Sequence, residues 1–420
     1  MIKQFVRYAW RLQPRFLRKF ELFLLEKILI KPIDLQRQTS RGDILVCGFL
    51  GTASGLGENA RHILRQFQEF GFDAKPANFS RFAALSDFEN NPSWPATVSD
   101  GGVAVMCVNP GLFHLAFWAL KRERLIDRRI IGVWYWELEE FSTEWKRALE
   151  CVDEVWVGSQ FTANAFRKIA GNKPVFVVHP PMDVASFPSE PRQDPLPQFK
   201  DRTVVFFMYD VRSAHARKNP EAVIKAFQRA TQNDPGPVLV IKVNNGDSWP
   251  ETYERLSRAI DGSPNIHIMS ERLSADGMKD LLARVDIVMS LHRSEGFGLL
   301  MAEAMAAGKP VIATGWSGNL DFMTPDCSIL IDCKLVPVED PQHAYDRYGA
   351  KWAEPDVEQA ARALRRLLDD PAERRHIGQA ARTHILTYLS KDKWLEDLPK
   401  SFWDSLDKKP EKSFLQKIAS

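Results

Sequence analysis

The chain has 420 residues, 45% apolar and 26% charged, with a formal net charge of +2. That length suits two domains of ordinary size. The near-neutral balance gives no general reason for nucleic-acid binding, and no apolar run approaches the ~20 residues of a membrane-spanning helix.

Five cysteines (Cys47, Cys107, Cys151, Cys327, Cys333) form no Cys-x-x-Cys pair. Four of them stand in apolar strand-like or helix-like surroundings, so they read as free thiols of a reducing compartment. Residues 1–41 differ from the rest. Lys3, Arg7, Arg11, Arg15 and Arg18 fall on one side of a helical wheel, and Phe5, Ala9, Leu12, Phe16, Phe20 and Phe23 on the other. Such a basic amphipathic segment suits an anionic membrane surface. Packing on the domain with a solvated basic face is the alternative, and Pro14 interrupts a single continuous helix. The segment carries no small-residue cleavage site of a secretory signal. The expected location is cytoplasmic, peripheral on the inner face of the plasma membrane.

Asp43 to Leu50 is a strand of the buried type, followed by a Gly-containing loop and a helix over roughly Glu58 to Phe70. Gly55-Leu-Gly57-Glu-Asn-Ala60 fits the dinucleotide pattern G-x-G-x-x-A. However, a four-residue spacer separates it from the strand, and no acidic residue closes the next strand, Phe72 to Asn78. The other use of such a loop is close approach of backbone N–H groups to a phosphate.

Strands over Gly102–Val108, Arg129–Tyr135, Glu154–Val157 and Val175–His179 alternate with helices over Leu112–Lys121, Ser142–Cys151 and one opening at Ser159. The alternation predicts a parallel sheet with helices on both faces and ligands at the carboxyl ends of its strands. Asn109, Trp136, Glu137 and Ser159 occupy such ends. Of Trp134, Trp136, Trp145 and Trp156, Trp136 is expected to face the cleft and the others the core.

Residues 184–200 hold four prolines and little periodicity, and read as a linker. A second strand–helix series follows, with strands at 203–208, 238–243, 265–269, 285–290, 311–314 and 328–332. Its first loop carries Arg212, Arg217 and Lys218 just before a helix start, a place where cations and helix N–H groups meet a diphosphate. Lys242 ends the next strand and Arg272 follows the one after. The stretch from Ser290 to Thr314 then reads as strand end, the turn Glu295-Gly-Phe-Gly298, a helix over Leu299–Ala307, a stop at Gly308 and Pro310, and a strand. Glu303 lies inside that helix in apolar company, where a charge is costly without a partner. Helices near 356–369 and 372–389 complete the series. Residues 391–420 present Trp394, Leu398, Phe402, Trp403, Leu406 and Phe414 on an apolar face.

Glu295 and Glu303, with seven residues between them and Gly-x-Pro-Val-Ile-Ala behind, closely resemble the signature of retaining GT-B glycosyltransferases of family four. The phrases Ser-Leu-His-Arg-Ser-Glu-Gly-Phe-Gly and Trp-Ser-Gly-Asn-Leu-Asp-Phe are similar to those of bacterial polysaccharide mannosyltransferases. The resemblance implies an α/β fold of the GT-B type, with two Rossmann-like doubly wound domains facing across a cleft. The first would span 42–187, completed by helices from 391–420, and the second 188–390. It implies that Glu295 faces the donor sugar and its diphosphate, and that Glu303 accepts from the ribose hydroxyls. Lys218 matches the family's diphosphate-binding lysine, and Arg212 matches its arginine by spacing. Gly55, Gly57, Arg217, Lys242, Arg272, Gly296, Phe297, Gly298, Ser317, Gly318 and Asn319 would complete the donor side, and Asn109 and Trp136 the acceptor side. Glu137 is read as a further catalytic candidate, standing near where many members place a histidine beside the reacting sugar.

The implied function is transfer of a sugar from a nucleoside-diphosphate sugar, GDP-mannose first, to a lipid-linked or surface glycan. Transfer would proceed with retention and without metal or other cofactor. No Asp-x-Asp triplet of the metal-chelating kind occurs. Two rival readings stand beside it: an NAD-dependent oxidoreductase built on Gly55-x-Gly57, and a non-catalytic scaffold of the same fold.

Overall fold

A computed structural model describes residue 34 and residues 37–407, apart from 53, 81–98, 114–115, 117–119, 121–124, 126, 142–144, 233, 261 and 346–348. Most of the basic segment expected over 1–41, and Phe414 of the C-terminal face, lie outside the described residues.

Runs such as Ile44-Leu-Val-Cys47 and Val103-Ala-Val-Met-Cys107 are buried on both faces, as strands of a parallel sheet between helical layers must be. The first six strands are β1 (Asp43–Gly48), β2 (Ala74–Asn78), β3 (Gly102–Cys107), β4 (Arg128–Trp134), β5 (Glu154–Val157) and β6 (Val175–Val177). They form one parallel sheet in the order β2-β1-β3-β4-β5-β6. The second six are β7 (Val204–Asp210), β8 (Val238–Asn244), β9 (Ile266–Met269), β10 (Ile287–Ser290), β11 (Val311–Thr314) and β12 (Ile329–Ile331). Their parallel order is β12-β11-β10-β7-β8-β9. The chain thus has two Rossmann-like α/β domains, as the strand–helix alternation predicts.

Each strand order reverses direction at one point, and that point fixes where ligand-facing loops gather. In the first sheet it lies between β1 and β3, beside the loop that enters helix α1 (Gly55–Glu69). Ser54 caps α1 by accepting the Gly57 N–H at 3.2 Å. In the second sheet the switch lies between β10 and β7. The loops leaving those strands carry Glu295 on one side and Arg217-Lys218 on the other. Sheet topology therefore brings together two segments 77 residues apart.

A two-stranded antiparallel hairpin, β13 (Cys333–Pro337) and β14 (Lys351–Pro355), stands between β12 and the last helices. The sequence pattern does not announce it, because its strands are only five residues long and show no regular alternation of buried and exposed positions. Tyr345 and Trp352 nevertheless join the core of the first domain. The helices Lys391–Glu396 and Lys400–Trp403 also return to that domain. Trp394 and Phe402 pack on Phe67 of α1 with ring centroids 5.0 and 5.3 Å apart, and Phe402 lies 5.5 Å from Trp156. Trp134 and Trp156 are core residues, and the cysteines Cys47, Cys107, Cys151 and Cys327 are buried and free. Among the described residues, no helix is long and apolar enough to cross a membrane.

Candidate functional site

The cation loop and the motif turn meet in a buried ionic cluster. Helix α2 (His215–Lys218) is a single turn ending at Asn219, which adopts φ 55° and hands over to helix α3 (Pro220–Thr231). This tight join points Arg217 and Lys218 at the β10 side. Lys218 Nζ donates to Glu295 Oε1, and Arg217 Nη1 lies 3.3 Å from Glu295 Oε2. Arg217 is only 3% exposed. It also donates to Ser294 O at 2.7 Å and Ser213 O at 3.0 Å, while Glu137 Oε1 of the first domain stands 3.9 Å away. Burial alone would push the Glu295 carboxyl up, but Lys218 and then Arg217 outweigh it and hold it down at about 2.

The turn that carries Glu295 is fixed from three sides. Its own N–H donates to Ser317 Oγ at 2.8 Å, and its carbonyl accepts the Gly318 N–H at 2.9 Å. Ser159 Oγ, at the end of β5, donates to Gly296 O at 2.6 Å across the domain boundary. Gly298 then takes φ 102° to open helix α4 (Leu299–Ala306), where a side chain would run into Met301. The helix closes at Gly308, φ 73°, with Lys309 N–H on Ala304 O and Gly308 N–H on Met305 O, both 2.9 Å.

Glu303, one turn along α4, faces a different setting. It lines a cavity of about 1310 Å³ between the domains, with Gly55, His62, Lys242, Arg272 and Lys279 on its walls. Burial pushes the Glu303 carboxyl up to about 7; His62 across the cavity lowers it and Glu58 raises it. Gly55 opens α1 at this cavity with nothing within 4 Å of where a Cβ would sit. Lys242 is 2% exposed at the end of β8, donating to Asn244 Oδ1 at 2.9 Å and Glu271 O at 2.7 Å.

Several sequence expectations change here. Arg212 does not join the cluster: its guanidinium turns back to Asp210, 3.0 Å away, because Asp210 caps the short turn that Arg212 sits in. Arg217, rather than Arg212, stands with Lys218 at Glu295. Trp136 does not face the cleft. Its indole N–H donates to Glu140 O at 2.8 Å, and its ring packs on Phe141, Trp145 and Tyr345. Asn109 uses its carbonyl oxygen to accept the Tyr135 N–H at 3.0 Å, tying two strand ends. Gly57 permits close packing, since a Cβ there would meet Thr52 O at 2.6 Å and Phe49 O at 2.7 Å.

The groups expected after β11, and Phe297 of the motif turn, are spent within the protein. The Gly318 N–H and Ser317 Oγ hold the Glu295 turn, Asn319 faces His292 at 3.1 Å, and Phe297 packs on Phe322 at 5.0 Å. Tyr345 is the residue that sequence reasoning missed. Its hydroxyl donates to Glu137 Oε2 at 2.8 Å. The only sequence signal was an aromatic-bearing insertion between the 328–332 strand and the 356–369 helix.

A family model described as "Family 4 Glycosyltransferase in conflict systems" matches residues 148–397. The chain belongs to family 4 of the glycosyltransferases. The matched span holds the cation loop, both motif glutamates and the hairpin. Among curated relatives, a Corynebacterium glutamicum protein named GDP-mannose-dependent monoacylated alpha-(1-6)-phosphatidylinositol monomannoside mannosyltransferase is 29% identical over 247 residues, 56% of this chain and 58% of its own. A D-inositol 3-phosphate glycosyltransferase of Corynebacterium aurimucosum is 27% identical over 172 residues, 40% of this chain and 36% of its own. This family 4 glycosyltransferase therefore spans about half the length of these relatives or less.

Solved structures extend the likeness over the whole fold. Anabaena HepE in complex with UDP and glucose superposes with a TM-score of 0.61 at 16% identity, over 84% of this chain and 97% of its own. A glycosyltransferase from Rickettsia africae gives 0.63 at 11% identity, over 89% and 100%. At these identities the likeness shows the fold, which is GT-B.

Proposed function

We propose that this family 4 glycosyltransferase moves a hexose from a nucleoside-diphosphate sugar to a glycan acceptor. The observation that carries the reading is the pairing of two settings on one motif. A buried arginine and a half-buried lysine stand at Glu295, and at Glu303 a roomy cavity meets a carboxyl group with no hydrogen-bond partner among the described residues. The diphosphate would engage Lys218 and Arg217, sharing them with Glu295. Fixed cations in a water-poor site stabilise charge that grows on a leaving diphosphate, with no reorganisation at the moment of reaction. The ribose hydroxyls would donate to Glu303, and the N-terminal end of α1 at Gly55 would face the phosphates.

Transfer with retention would break the bond from the sugar C1 to the phosphate oxygen. The new bond from C1 to the acceptor oxygen would form on the same face, and the acceptor proton would pass to the departing phosphate. The chain's own cations would meet the phosphate charge, so neither a metal nor another cofactor is part of this reading. GDP-mannose is the first choice of donor, supported by the name of the Corynebacterium glutamicum relative. A UDP-sugar is the second, supported by the UDP in the HepE complex. A lipid-linked or surface glycan is the proposed acceptor, and residues 1–41 would hold the enzyme at the inner face of the plasma membrane.

The test is a panel of GDP- and UDP-sugars incubated with the full chain, with release of the nucleoside diphosphate scored by mass spectrometry. Release from GDP-mannose above the other donors is expected. Release from none, with wild-type fold intact, would overturn the reading.

A further inference from the structure

The hairpin β13–β14 sends its tip across the domain boundary to the ionic cluster. Asp340 organises that tip, its buried carboxylate accepting the N–H groups of Gln342 at 3.0 Å, Ala344 at 2.7 Å and Tyr345 at 3.0 Å. Gln342 then grips the cation loop: its Oε1 accepts the His215 N–H at 2.5 Å, and its Nε2 donates to Val211 O at 3.0 Å. Arg293 ties the strands to the same loop. It donates to Ala216 O and Glu354 Oε2, both 2.6 Å, and lies over the Trp352 ring at 5.5 Å.

Seated in this way, the Tyr345 ring lies 5.5 Å from the Arg217 guanidinium, and its hydroxyl holds Glu137 Oε2. Glu137 Oε1 stays 3.9 Å from Arg217 Nη2, at the outer limit of an ion pair. Arg217 Nε is buried without a hydrogen-bond partner among the described residues. Arginine–carboxylate pairs frequently make a two-point contact at roughly 2.8 Å, and the spare Nε with Nη2 offers Glu137 the donors for one. Among the described contacts of Glu137, the Tyr345 hydroxyl is the restraint. Burial keeps that phenol protonated, well above its ordinary range, so it remains a donor.

We propose that Tyr345 is a positioning residue of the transfer site: by holding Glu137 back from Arg217, it leaves the guanidinium able to take up the donor diphosphate. This rests on the nucleotide-sugar reading of the cleft. The hairpin thereby sets the charge balance of the site.

Tyr345→Phe keeps the ring over Arg217 and deletes the hydroxyl. Calorimetric titration of the full chain with inorganic pyrophosphate, UDP and GDP reads the effect without catalysis. The substitution should weaken whichever ligands the wild type binds by about tenfold, the size of one hydrogen bond. In a Glu137→Gln background the same substitution should change nothing, because a neutral amide cannot neutralise Arg217. Equal losses in both backgrounds, or no loss in the first, would overturn the proposal. Should Tyr345→Phe fail to fold, Glu137→Gln alone decides: it should bind these ligands at least as tightly as wild type, and weaker binding refutes the idea. A wild type that binds none of the three overturns the nucleotide-sugar reading itself, and this inference with it.

Discussion

Glu295 and Glu303 come from one short motif, yet the structure gives them opposite electrostatic fates. Glu295 sits between a buried arginine and a half-buried lysine and is held at about 2; Glu303 faces a cavity, has no side-chain hydrogen-bond partner among the described residues, and rises to about 7. The difference is one of neighbours rather than depth, since burial pushes both carboxyls the same way. Where the chain supplies its own counter-charge, the carboxylate is locked. Where it leaves a carboxylate facing open space, that space is the place to look for a ligand's hydroxyls.

The largest expected effect breaks the locked half. Glu295→Ala and Lys218→Ala should each lower kcat/KM by at least ~100-fold, as lost transition-state electrostatics does. Steady-state transfer with the best donor from the panel checks this, and near-wild-type transfer by either folded variant removes these residues from the site. The next effect separates the two arginines of the loop. Arg217→Ala should cost a similar factor, while Arg212→Ala, which releases only Asp210, should stay within about threefold. Comparable losses in the two variants would show that Arg212 swings into the site when the donor binds.

The smallest effect tests the open half. Glu303 is raised above its ordinary 4.5, so the folded chain holds a proton that the unfolded chain releases. Its contribution to stability is therefore intact below about 4.5 and is lost as pH rises through about 7. Glu303→Gln removes this penalty, so its melting temperature should gain on wild type by more at pH 8 than at pH 5. A gain independent of pH would mean that Glu303 is not raised. Glu295, held at about 2, contributes no such change above its ordinary value, so the two halves separate in one titration series.

Much of the fold was legible because it is written locally. Buried apolar runs of four to seven residues, alternating with amphipathic helices, leave little besides parallel sheets, and the Gly308-Lys-Pro310 stop reads directly from backbone preference. The motif glutamates stood out through the family signature rather than through local pattern. The misreadings share another cause. Spacing placed Arg212 in the site, but spacing cannot show that Asp210, two residues back, captures its guanidinium. A strand-end position placed Trp136 in the cleft, but its indole finds Glu140 and a core of rings. Gly57 reads equally well as a phosphate contact or a packing necessity until the Thr52 and Phe49 carbonyls are located. Tyr345 was invisible because its partner Glu137 lies 208 residues away, and no local rule links them.

The hairpin has one more consequence. Tyr345 and Trp352 belong by sequence to the second domain but pack in the core of the first, and the helices after residue 390 do likewise. The two sheets are thus laced together by covalent continuity at three places: the linker, the insertion and the tail. The first half has no complete interior of its own. Heat or denaturant should therefore find one cooperative unit, and a fragment cut at the linker would expose the same aromatic side chains that the intact chain keeps dry.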